Sequence, residues 1–178
     1  GNIEGRQRNN DGAEALISRA IRSFTSLRDR RSEGIARAYL GSLLRMQGRK
    51  VEAALEADKS VVLLQPFPSL LPGALAVKAR TLLDDGLTTE ALQTSARAYA
   101  RIADGAFVEE GEFYTRLVHA LCLHANGAFD QAHEVADTGR QVLLRRSERI
   151  ASARARSQYL LQVPEHARLL SLARTTTT

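Results

Sequence analysis

The sequence predicts an all-α fold, a short helical solenoid, on three observations. Apolar residues recur at helical spacing along the chain, with no clear period-2 stretch. Ala, Leu and Arg dominate and favour helices, while aromatics reach only 5% and Trp is absent, low for a β-sandwich. Turn glycines Gly48, Gly86 and Gly127 recur at intervals of 38 and 41 residues, each followed five residues later by Ala53, Ala91 or Ala132. A period in this range marks stacked helical hairpins, each covering its neighbour's apolar face.

The elements follow in order. Residues 11–27 read as a first helix, with Asp11 as N-cap, Glu14 as capping-box partner and Ala15, Leu16, Ala20, Ile21 and Phe24 as the apolar stripe. It looks like the second helix of a hairpin whose first is missing, so the chain reads as starting inside a longer array. The first full hairpin spans 32–64. Ser32 is its candidate cap, Leu40, Leu43, Leu44 and Met46 pattern its first helix, and Gly48 supplies the left-handed residue that ends it. Val51, Ala54, Leu55, Val61 and Val62 pattern the second helix, with Ala53, Ala57 and Ser60 where backbones can approach. Pro66-Phe67-Pro68 stops it. The second hairpin spans 69–102, with Pro72 in its first turn, Asp84-Asp85-Gly86 at its reversal, and Thr88 or Thr89 as cap. The third spans 108–144 and turns at Asn126-Gly127. A further helix covers 148–162, Val163-Pro164 breaks it, and a short helix runs from Pro164 to about Arg174.

Composition narrows the functional classes. No run of 18 apolar residues suggests a membrane span, and no signal peptide opens the chain. The single Cys122 cannot form an internal disulfide, which fits a reducing, cytoplasmic setting. Ile3-Glu4-Gly5-Arg6 resembles an engineered protease site, so residues 1–10 read as vector-derived or disordered, 11–174 as one repeat domain and 175–178 as a tail. The net charge of +5 is uneven: residues 140–178 hold eight Arg and two carboxylates, a net of +6, which leaves −1 for the rest.

The repeated unit resembles the tetratricopeptide repeat (TPR). That motif has a Leu-Gly pair in its first helix, a Gly at the turn and an Ala five residues on. The first hairpin supplies Leu40-Gly41, Gly48, Ala53 and Ser60. The second has Lys78-Ala79 at the pair but keeps Gly86, Ala91 and Ala98, and the third has His119-Ala120, Gly127, Ala132 and Gly139. The resemblance implies a right-handed α-solenoid of about three hairpins, an extra N-terminal helix and C-terminal capping helices. It also implies a concave groove for a peptide or protein partner. Transferred by the turn glycines, the groove positions are Ala38, Ser42 and Arg45, then Ala76, Arg80 and Leu83, then Leu117, Leu121 and His124, with Arg154 and Tyr159 extending the wall. An apolar floor with a few basic groups implies a ligand with apolar anchors and an acid. The stretch Tyr159–Arg174 resembles the ending of multidomain signalling proteins of myxobacteria, where such arrays follow a serine/threonine kinase or ATPase. That likeness implies a regulatory or docking region of a bacterial signalling protein.

No catalytic, cofactor or metal site is predicted. There is no Gly-rich phosphate loop, no Val-Ala-Ile-Lys, no His-Arg-Asp and no nucleophile elbow. His119, Cys122 and His124 share a helix, but His124 points about 140° from His119. With His133 they read as ordinary packing residues. Asp84-Asp85 and Glu109-Glu110 read as helix-end charges. The arginine-rich end reads mainly as a solvated face, since Tyr159 is the lone nearby aromatic for base stacking. Nucleic-acid binding through Arg145, Arg146, Arg149, Arg154 and Arg156 is thus disfavoured. Self-association through the open ends of the array is a further alternative.

Overall fold

The computed structural model describes the backbone of residues 2–103 and 108–172, with side chains from Gly12 onward. Nine helices and no strand occur among the described residues: α1 (Asn2–Ser26), α2 (Arg30–Met46), α3 (Lys50–Leu64), α4 (Leu71–Asp84), α5 (Thr88–Ala103), α6 (Glu112–Ala125), α7 (Phe129–Glu148), α8 (Ala153–Leu161) and α9 (Pro164–Leu172). They form an α-solenoid. α2/α3, α4/α5 and α6/α7 are the three hairpins, and their first helices α2, α4 and α6 pack side by side. α9 packs on α6 and α7, where the first helix of a fourth hairpin would lie. None of the described helices is long and apolar enough to cross a membrane.

The turns explain the register. Gly48, Gly86 and Gly127 have φ of 78°, 80° and 78°. At the first, Gly48 N–H donates to Arg45 O and Arg49 N–H to Leu44 O; the same pair of bonds recurs around Gly86 and Gly127. This is the Schellman arrangement, in which a left-handed C′ residue lets two orphan carbonyls be satisfied. A fourth copy has no glycine. Between α1 and α2, Arg28 has φ of 56° and Asp29 N–H reaches back to Phe24 O. A side chain in that conformation costs about 1–2 kcal/mol. Arg28→Gly is therefore expected to stabilise the fold, by roughly 0.5–1 kcal/mol after glycine's larger unfolded-state entropy is subtracted. Urea unfolding measures this, and a loss of stability would contradict it.

Several expected boundaries move. α1 starts at Asn2 and not at Asp11: no proline interrupts residues 2–11, and once a helix is nucleated each residue added contributes a bond, which carries it through Gly5, Asn9 and Asn10. Asp29, not Ser32, caps α2: its carboxylate accepts from Ser32 N–H at 3.0 Å. α5 begins at Thr88 itself. α7 runs on to Glu148, so the next helix starts at Ala153, capped by the Ser152 side chain. The tail expected at 175–178 lies outside the described residues.

Packing also revises the faces. Small residues form the inner side of α3: Ala53, Ala57 and Ser60 are fully buried, whereas Val51, Leu55 and Val62 are exposed. A Cβ on Gly41 would sit 3.3 Å from Ala53 O and 3.4 Å from Ala57 N, so the pair packs backbone against backbone. In α1, Leu16 is exposed, and Ile17, Ile21 and Phe24 make the contact with Ala36, Leu40 and Leu44 of α2.

Residues 108–111 tie three helices together. Glu109 N–H donates to Ser69 O, Ser69 Oγ donates to Glu109 Oε1, and Arg31 pairs with the same carboxylate. Tyr39 of α2 donates to Glu110 Oε2 at 2.9 Å. Gly111, at φ 79°, lets the segment lie against Gly73, whose Cα would be 3.3 Å from an added Cβ.

Candidate functional site

A cavity of about 440 Å3 opens between α2 and α4. Ile35, Ala38, Tyr39 and Ser42 reach it from one face of α2, at helical spacings of three and four. Leu64, Leu70, Ala74 and Val77 complete an apolar floor. Tyr114 of α6, Glu110 and Glu165 of α9 supply the polar lining together with Ser42. Burial, and then the bond to Glu110, pushes the Tyr39 phenol above its ordinary pKa. The Tyr114 hydroxyl is buried with no hydrogen-bond partner, and burial raises its pKa although Arg45 and Arg80 oppose the rise.

The two arginines expected to steer a ligand share one carboxylate. Arg45 Nη1 lies 2.8 Å from Asp84 Oδ2 and Arg80 Nε 3.0 Å from Asp84 Oδ1. Neither belongs to the cavity lining, and the ionisable side chains that do are carboxylates and phenols. The expectation of a basic groove for an acidic ligand is thereby corrected. Arg45 Nε is itself buried without a partner.

The transferred groove positions do not share one surface. Ala38 and Ser42 line the cavity, and Arg45 and Arg80 meet at Asp84. Ala76 is fully buried against Ala79, Ala91, Val118 and Cys122, with Leu83 half-buried beside them. Leu117 is buried with Phe113, Leu143 and Leu169. Leu121 and His124 line a separate hollow of about 110 Å3 near His133 and Arg168. Arg154 is exposed on α8, and the half-buried Tyr159 packs edge-on to His166 with centroids 4.6 Å apart. The middle helices explain the displacement. α4 is covered by α2 on one side and α6 on the other, so a position that faces open space in α2 faces the next hairpin in α4. Sequence reasoning missed Tyr39, Glu110, Tyr114 and Glu165. Two of the chain's four tyrosines sit among them, and that scarcity was the available clue.

The histidines of α6 meet separate partners. His119 Nδ1 is 3.0 Å from Ser95 Oγ, and its ring stacks on Tyr99 at 4.7 Å. Burial lowers its pKa to about 4 and raises that of the Cys122 thiol. His124 instead turns to Phe129, with centroids 4.9 Å apart.

No protein-family model matches the sequence, and no curated protein sequence matches it. Among solved structures, the fold is similar to the nearly identical TPR-like repeats of a putative kinesin light chain from Podospora anserina. The TM-score is 0.60 at 16% identity, over 94% of this chain and 86% of that one. At that identity the likeness concerns the fold, a TPR-like α-solenoid.

Proposed function

We propose that this chain is a non-catalytic interaction module that takes a peptide segment of a protein partner in the cavity between α2 and α4. The observation that carries this reading is the cavity itself, about 440 Å3 with an aliphatic floor and a rim of carboxylates. An extended or helical segment would bury apolar side chains on the floor. The resemblance of Tyr159–Arg174 to myxobacterial signalling proteins supports a cytoplasmic docking role within a larger bacterial protein.

Ser42→Trp tests the reading by filling the cavity from a half-buried position. Peptides selected from a random displayed library against the wild-type chain serve as the probe. Their affinity is expected to fall at least about tenfold on the variant, while the far-UV spectrum stays unchanged. Unaltered affinity for every selected peptide would sink the assignment.

Self-association is a second reading with its own observation. Val51, Leu55 and Val62 form an exposed stripe on α3, and an apolar hollow of about 310 Å3 lies between Ile17 and Phe24 of α1 and Ile35 and Ala36 of α2. Sedimentation across a concentration series separates the two. Nucleic-acid binding gains no support, since Arg146 is held by Glu112 at 2.5 Å and Arg156 by Ile150 O at 3.0 Å.

A further inference from the structure

The cavity holds carboxylates that no cation matches. This protein carries a surplus of arginine, and several of its partly buried carboxylates are matched by cations, although Asp29 and Asp137 are not. Arg37 pairs with both Glu33 and Glu56. Arg45 and Arg80 hold Asp84, Arg116 and Arg146 hold Glu112, and Arg49 holds Glu14. Glu165 is half-buried at the cavity and, among the described residues, has neither an ion pair nor a hydrogen bond. Glu110 accepts from the neutral Tyr39 hydroxyl and has no cation. No Lys, Arg or His lines the cavity. Glu110 is exposed at the rim, whereas Glu165 is half-buried beside an apolar floor without a counter-charge and is better accommodated when a cation is brought from outside.

Tyr114 lines the same cavity, with its hydroxyl buried and unpartnered behind the wall. The cavity thus offers an aliphatic floor and two unmatched anions.

We propose that the partner segment presents a Lys or Arg side chain to Glu110 and Glu165, with an adjacent aliphatic residue on the Ile35–Val77 floor. This rests on the reading of the cavity as a peptide site and narrows it to a basic, aliphatic-flanked segment. Charge attraction would set the orientation and speed association, with apolar burial holding the segment in place.

The test uses linear peptides displayed as a random library and selected on the full chain. Peptides whose binding Ser42→Trp blocks are expected to be enriched in Lys or Arg beside Leu, Ile or Val. Their affinity, read by fluorescence anisotropy, should fall about tenfold on the double variant Glu110→Gln, Glu165→Gln and weaken steeply with added salt. Replacing the basic residue of the probe by Glu should abolish binding, and this arm needs no change in the protein. Peptides that Ser42→Trp blocks but that lack basic enrichment, or that bind the double variant equally well, would overturn the cationic requirement and leave the peptide cavity standing. If no selected peptide is sensitive to Ser42→Trp, the cavity reading falls and takes this inference with it.

Discussion

Leu169→Ala is expected to lower the stability of the fold by about 3 kcal/mol. Leu169 is fully buried, in one cluster with Phe113, Leu117, Ala136 and Leu143. Its methyls also fill the space over Gly139, 3.4 Å and 3.5 Å from where a Cβ would stand. Truncation removes these contacts and leaves a void that a nine-residue helix between Val163 and the end of α9 cannot easily collapse. The loss has a second consequence. α9 carries Glu165, so loosening its seat on α6 and α7 withdraws one wall of the cavity. Urea unfolding should show an earlier midpoint, and binding of cavity peptides should weaken in the same variant. Leu161→Ala is the matched control, since Leu161 is 64% exposed and should shift stability by no more than about 0.5 kcal/mol. A change below about 1 kcal/mol for Leu169→Ala would show that α9 is not docked as described.

The second large effect is acid sensitivity. His119 is buried and neutral in the folded protein, with a pKa near 4 against 6.5 when unfolded. Between those values the unfolded chain binds the proton and the folded one does not, so stability rises with pH across the window. The contribution is fully present above about pH 6.5 and is lost as pH falls toward 4. Its size is up to about 3 kcal/mol. Carboxylates add a separate loss at lower pH. Glu52 is held below its ordinary pKa by Arg49, Asp29 by Ser32 and Glu109 by Ser69, and all three lose their partners only when protonated. Unfolding free energies from urea titrations at pH 7.5, 6 and 5 should therefore decline for the wild-type chain. His119→Phe keeps the stack on Tyr99 and should flatten that decline. Parallel losses in both proteins would exclude His119 as the source.

The architecture was legible because turn chemistry repeats. A left-handed residue is needed wherever two helices reverse in this way, and glycine marks three of those reversals in the sequence. Arg28 escaped notice because it adopts the same conformation without the marker. α9 was visible as a helix, through Pro164 and its leucines, but not as the substitute for a fourth first helix. That role depends on contacts with Leu117 and Leu143, far away in the chain. The site was less legible still. Ala38 and Ser42, placed by the turn register, line the cavity, whereas Ala76 and Leu117 lie in the interior because their helices are covered on both sides. Glu110 read as a helix-end charge and Glu165 drew no notice, because only the tertiary fold brings the two, 55 residues apart in the chain, to one cavity.

The segment 108–111 changes what kind of solenoid this is. In a repeat array each hairpin ordinarily feels only its immediate neighbours, and melting can start at an end and travel inward, like a zip. Here Arg31 and Tyr39 of the first hairpin are fastened to Glu109 and Glu110, at the threshold of the third. The first hairpin cannot peel away while the third stays closed without surrendering those links. The array is clasped across its middle member, and a partner that grips the cavity touches all three hairpins at once.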